Sequence, residues 1–193
     1  MSRRRVQRVA YHLDASGIET LSAREIAAIL RGADSMIGLG GRTQLSKLLK
    51  GSREAAVIEH ELDRNPSYGF YRNLTLEEIL KRVDWTIKND YLRIEYSYRL
   101  PVLLFTPKGW AIELVTMANE LLRGFDVHLA AGPPYDLSYL KDRNREMIFL
   151  LLDRVAASGQ RDFVPLLQAW SAIDYAKVRA RIAGVIRTLL SGS

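Results

Sequence analysis

The sequence predicts a mainly α-helical protein with one small β-hairpin, an α+β chain in which helices dominate. Apolar residues recur at helical spacing through most of the chain. A single stretch, residues 91–106, switches to aromatic and aliphatic residues in a strand-like pattern. Gly- and Pro-containing clusters separate the periodic segments at Gly38-Leu39-Gly40-Gly41, Asn65-Pro66-Ser67-Tyr68-Gly69 and Gly132-Pro133-Pro134.

Taken in order, residues 3–15 place Val6, Val9, Ala10 and Leu13 on one helix face, and Gly17 ends them. Ser22 followed by Glu25 is a capping box, so a helix starts there with Ile26, Ile29 and Leu30 inward and Gly32 as its punctuation. Thr43 to Leu49 reads as a short helix, broken by Gly51. Ser52 then caps a helix from Arg53 to about Leu62. Thr75 caps the next, with Glu77 and Glu78 at its positive end. Its buried stripe is Leu76, Ile79, Leu80, Val83 and Ile87, which leaves Lys81, Arg82, Trp85 and Lys88 outward. Tyr91–Tyr98 and Val102–Thr106 are two strands, with Tyr96 to Pro101 as the hairpin tip and Pro107-Lys108-Gly109 closing the second. Helices followed by a hairpin are the pattern of a winged helix.

The rest is helical: Trp110–Leu122 ended by Gly124, Ser138–Ala157, Arg161–Ile173 and Tyr175–Leu190. Met147 to Leu152 is apolar on all sides and needs cover on more than one face. The expected division is residues 1–111 as the winged-helix domain and 112–193 as an α-helical extension.

Charge separates the same halves. Residues 1–111 hold 18 basic and 13 acidic side chains, a net of +5, and residues 112–193 hold 10 and 9, a net of +1. A basic half suits a polyanionic partner. The chain has no cysteine, which excludes disulfides, thiol catalysis and Cys-based zinc sites and suits a reducing compartment. No segment is long and apolar enough to span a membrane. There is no Gly-Lys dipeptide for a phosphate-binding P-loop and no Gly-x-Ser-x-Gly elbow, and Arg64 stands where a zincin motif begun by His60-Glu61 needs its second histidine. The expectation is a cytoplasmic binding protein (nucleoid-associated if bacterial), not an enzyme, with no cofactor or metal.

Residues 42–110 carry four ordered segments: Leu48-Leu49-Lys50-Gly51-Ser52-Arg53, Ser67-Tyr68-Gly69-Phe70-Tyr71-Arg72, Thr75 to Leu92, and Leu103-Leu104-Phe105-Thr106-Pro107-Lys108-Gly109-Trp110. Together they resemble the RQC domain, the winged-helix module that follows the ATPase core of RecQ-family DNA helicases. The ATPase motor and cysteine zinc module that accompany it there have no counterpart in these 193 residues, so the expectation is a stand-alone RQC-like protein.

The resemblance implies duplex DNA binding, with DNA repair as the setting. In the family a Lys/Arg-Gly-Ser step at a helix N-terminus grips a backbone phosphate, which here falls on Lys50, Ser52 and Arg53. The loop cation falls on Arg72, beside Tyr71 where the family has glycine. Wing-tip aromatics stack on a terminal base pair in the family, and Tyr96 and Tyr98 take that place with Arg99 beside them. Helix-dipole reasoning adds Arg42 and Thr43 at a second helix start, and Lys81, on the outer face of its helix, completes the candidate DNA contacts. Structured RNA or a ribonucleoprotein is the alternative partner. A protein adaptor is another, in which the C-terminal helices meet a second copy or a helicase or ATPase partner.

Overall fold

The computed structural model describes residues 8–191. The chain divides into two compact units, residues 1–113 and 114–193. The elements in order are α1 (Ala23–Asp34), α2 (Arg42–Lys50), α3 (Ala55–Glu59), α4 (Leu76–Lys88), β1 (Leu92–Ser97), β2 (Leu100–Phe105), α5 (Pro107–Ala131), α6 (Arg145–Ser158), α7 (Val164–Ile173) and α8 (Ala176–Ser191). Mainly helical, with one antiparallel hairpin, the first unit is the winged helix that the sequence pattern predicts.

Its core forms where the apolar faces of α1, α2 and α4 meet: Ile29, Leu30, Leu45, Leu48, Leu49, Ile79 and Val83 are fully enclosed. Gly32 does not end α1. It lies inside the helix, where an added Cβ would stand 3.1 Å from Leu45 and 3.3 Å from Leu48, so it lets α2 pack close. Both α1 and α4 start with complete capping boxes, Ser22 with Glu25 and Thr75 with Glu78. Burial alone would raise the Glu25 carboxyl, but hydrogen bonds from Ser22, then Tyr71 and the charge of Arg82, hold it below its ordinary 4.5. The Thr75 backbone and hydroxyl do the same for Glu78. Carboxyls depressed in the folded state contribute stability that is complete above about pH 4.5 and lost as the pH falls through their folded values. Urea midpoints are therefore expected to hold between pH 5 and 7 and to fall from pH 4.5 to 3. Glu25→Gln with Glu78→Gln should flatten that acid limb.

Several expectations are corrected here. Residues 8–15 are not helical. They run as an irregular strap tied to the rest of the unit at two points: the Val9 N–H donates to the Arg99 carbonyl (3.0 Å) and the Asp14 N–H to Asp84 Oδ2 (2.8 Å). Residues 1–7, Arg3-Arg4-Arg5 included, lie outside the described residues. The same N-terminal region gives α4 a second buried face. Trp85 is buried rather than outward, donating its Nε1–H to the Glu19 carbonyl (3.4 Å) and stacking on Tyr91 (6.0 Å). Conversely Leu76, the first residue of α4, is exposed, because helical side chains lean toward the N-terminus and this one leans past the helix end. The expected helix over 53–62 shrinks to the five residues of α3. In the hairpin, Leu92 faces Phe105 and Ser97 faces Leu100, so the tip is only Tyr98-Arg99. Pro107 does not close a strand but opens α5, which continues through Gly109 and Gly124 to Ala131.

In the second unit, Phe125 of α5 meets Phe163 and Trp170 edge-on at 5.6 and 6.1 Å. Around them close Leu151 and Leu152 of α6, Leu166 and Leu167 of α7 and Ile182 of α8, all fully buried. α8 packs on both α6 and α7, which supplies the cover that the apolar run of α6 requires. Ser138–Leu140 is a separate single turn, and α6 starts only after its Asn144 cap. Among the described residues no helix is long and apolar enough to cross a membrane, and no cluster of His, Asp or Glu could hold a metal ion.

Candidate nucleic-acid interface

The end of α2 organises the first candidate surface. Gly51 adopts a left-handed conformation (φ 79°) that closes the helix, with its N–H on the Leu48 carbonyl (2.9 Å) and that of Ser52 on the Lys47 carbonyl (3.0 Å). The loop 67–72 docks on this same end. The Gly69 N–H donates to the Leu48 carbonyl (3.0 Å) and the Tyr71 N–H to the Leu49 carbonyl (2.8 Å). Gly51 and Gly69 touch: a Cβ on Gly51 would lie 3.1 Å from Gly69 Cα. The Tyr68 hydroxyl donates to the Ser52 carbonyl (3.0 Å).

This packing brings Lys50, Arg53 and Arg72 together around an open cleft of about 310 Å³, with Tyr68, Gly51 and Gly69 as the rest of its lining and no carboxylate among them. The Lys50 ammonium donates to the Arg72 and Leu74 carbonyls at 2.7 Å each, two of its three protons. Arg53 is exposed, and so is Arg72, whose Nε–H lies 3.3 Å from the Gly69 carbonyl. Three of the candidate cations thus converge, and Tyr68 joins them. Tyr68 was not among the expected contacts, although it lies in the very loop that carries the resemblance.

Other candidates are used differently. Ser52 does not cap a helix. Its hydroxyl accepts from the Glu54 N–H (3.3 Å), Glu54 takes the cap position of α3, and Lys47 pairs with Glu54 at 2.5 Å. Lys50-Gly51-Ser52 therefore lies at the end of α2, and the expected hydroxyl-and-helix-N-terminus grip on a phosphate is not formed. Tyr71 is buried and donates its hydroxyl hydrogen to Glu25 Oε1 (3.1 Å), and burial followed by the Glu25 charge pushes its phenol well up. Arg42 turns inward to pair with the buried Asp84 at 2.5 Å, leaving Thr43 alone exposed at the start of α2. Lys81 lies between Glu77 (3.2 Å) and Asp14 (3.7 Å), and these carboxylates hold its ammonium above the ordinary range while cancelling its charge toward outside anions.

The wing supplies the second surface. Tyr96 is not a tip residue. It is half-buried, with its hydroxyl donating to the Val9 carbonyl (2.8 Å) and the Arg8 guanidinium over its ring (4.7 Å). Tyr98, by contrast, is 77% exposed at the first turn position. Its φ of 56° is a left-handed value that costs a non-glycine residue roughly 1–2 kcal/mol. Arg99 is exposed beside it, and so is Leu100, an apolar neighbour that periodicity assigned to no role. A bulky aromatic held at strained backbone where glycine would relax the turn is a functional signal.

The RQC domain family matches residues 20–120, more than half of the chain. Neither the curated proteins nor the solved structures contain a match. The matched span runs from the start of α1 into α5, so it contains the basic cleft, the hairpin and Tyr98. The chain belongs to the RQC domain family, the winged-helix modules of RecQ-like proteins that bind nucleic acid.

Proposed function

We propose that this chain binds duplex DNA through the sugar–phosphate backbone, with Lys50, Arg53 and Arg72 supplying the charge and Tyr98 stacking on an exposed base pair at an end, fork or junction. The observation that carries this reading is the carboxylate-free cleft of three cations in a domain whose wing presents one strained, exposed tyrosine. The cleft selects for anions, and the ring selects for a place where a base face is open. The protein acts by binding alone, in the cytoplasm, and serves repair of structured DNA.

The test is fluorescence anisotropy on blunt duplex, fork, four-way junction, single strand and RNA duplex across a salt series. With four to six phosphate contacts, the log–log slope is expected between about −3.6 and −5.4. Binding insensitive to salt would end the proposal, and preference for the RNA duplex would replace DNA as the partner. Tyr98→Gly separates the two surfaces. It removes a stack contributing roughly 1–3 kcal/mol, so preference for ends over covalently closed duplex should drop about fivefold or more. Thermal stability should hold or rise, because glycine accepts the positive φ.

A further inference from the structure

We propose that the second unit carries its own phosphate-backbone surface along the solvent face of α8, so that duplex engages this chain at a site beyond the residues matched by the RQC family. α8 contains Lys177, Arg179, Arg181 and Arg187 and no acidic residue. All four are exposed. Arg181 pairs with Asp153 of α6, whereas Lys177, Arg179 and Arg187 form no ion pair among the described residues. The buried positions Val178, Ile182, Val185 and Leu189 mark the inner face. At 100° per residue, Arg187 points away from that face, while Lys177 and Arg179 lie at the two edges of the outer half, about 160° apart. Lys177 and Arg187 are ten residues apart, about 15 Å along the axis.

Between them the helix is smooth. Ala180 and Ala183 are exposed, and Gly184 follows. Glycine inside a helix is unfavourable and needs a reason. The inside of the protein offers none: a Cβ added to Gly184 would meet only Arg187 Nη2, at 3.9 Å. A flat face flanked by unpaired cations fits a partner that is itself a row of anions and must come close. Two open clefts border this face. One, of about 640 Å³ at the start of α8, adds Arg143 and Arg145 to Lys177, and the other, of about 420 Å³ farther along, is lined by Gly184, Arg187 and the Arg181–Asp153 pair. The first also contains Asp142 and Asp174, but Asp142 accepts from the Tyr175 hydroxyl (2.7 Å) and Asp174 from the Trp170 indole (2.6 Å). A duplex, with one phosphate charge per roughly 1.7 Å, matches such a track.

The proposal draws on the duplex-binding reading for its partner but stands on different residues, and the experiment keeps the two apart. In the full chain, Lys177→Ala, Arg179→Ala and Arg187→Ala together should make the salt slope on a 24-base-pair duplex shallower by about 2.7, three contacts at roughly 0.9 each. The charge-preserving set Lys177→Arg, Arg179→Lys and Arg187→Lys should keep the wild-type slope. Gly184→Gln should weaken binding at unchanged slope, with a melting temperature that holds or rises. A slope that the triple alanine variant leaves intact overturns the α8 surface alone. So does loss of binding to polyglutamate or to anionic vesicles with duplex affinity preserved, which assigns the face to a protein or a membrane. If Arg53→Glu with Arg72→Glu changes nothing while the α8 variant shifts the slope, the first reading fails and this one holds. Absence of any duplex binding by the wild-type chain overturns both.

Discussion

Gly109→Ala is expected to destabilise the first unit severely. A Cβ at this position would stand 1.9 Å from the Tyr91 carbonyl oxygen and 2.9 Å from its carbon. Neither side can withdraw. The Tyr91 carbonyl accepts the Thr106 N–H (3.2 Å) and the Thr106 hydroxyl (3.1 Å), and the Tyr91 N–H donates to the Thr86 carbonyl (2.9 Å). The Gly109 N–H in turn donates to the Thr106 hydroxyl oxygen (3.1 Å), which fixes the first turn of α5 against the junction of α4 and β1. Overpacking against side chains costs about 1–3 kcal/mol. Here the obstacle is hydrogen-bonded backbone, so the loss should exceed about 3 kcal/mol, against a total of roughly 5–15 kcal/mol for a domain. Gly124→Ala in the same helix is the contrast. The nearest atom there is the Tyr139 hydroxyl oxygen at 3.8 Å, and the change should be neutral or stabilise by up to about 1 kcal/mol. Urea unfolding followed by tryptophan fluorescence and circular dichroism distinguishes the pair. Equal midpoints for the two variants would contradict the close approach.

Arg53→Glu with Arg72→Glu is expected to weaken duplex binding about 60-fold at 0.1 M salt and leave the fold intact. Each backbone contact makes the binding constant vary roughly as salt to the power −0.9, so at 0.1 M one contact contributes about eightfold. Both side chains are exposed, and apart from the Arg72 Nε–H on Gly69 they serve no interior partner, so stability should not follow affinity down. Ser52→Ala makes a sharp comparison. Its hydroxyl is engaged with Glu54, so affinity should move less than twofold. A large loss on Ser52→Ala with none for the arginine pair would reverse the assignment of the cleft.

What was legible in the sequence is what local rules decide. Ser22 with Glu25 and Thr75 at the start of α4 announced two helix starts, and both are capped as their residue types predict. The change of period at Tyr91 announced the wing. Gly109, read only as the end of a strand motif, proved to be the one residue type that the Tyr91 carbonyl tolerates. What stayed hidden depends on partners far along the chain. Arg42 reads as a free cation until Asp84, 42 residues later, is brought against it. Tyr96 reads as a wing-tip aromatic until the Val9 carbonyl, 87 residues earlier, takes its hydroxyl. Helical spacing in residues 3–15 carried no information about the hairpin and α4, which hold Val9 and Asp14 in a non-helical segment.

The polarity of the cleft has a consequence for selectivity. Phosphate cradles commonly meet their ligand with amide hydrogens at the positive pole of a helix. An anion bound in the proposed cleft would meet α2 at its carbonyl end, where N–H groups of Gly51, Ser52, Gly69 and Tyr71 already occupy the last carbonyls and Lys50 donates to two carbonyls of the adjoining loop. Attraction would then rest on guanidinium groups at the ends of long side chains, which impose little directional order on what they hold. On the proposed reading, such a surface would tolerate many backbone geometries, and discrimination between nucleic-acid shapes would fall to the two-residue tip of the wing.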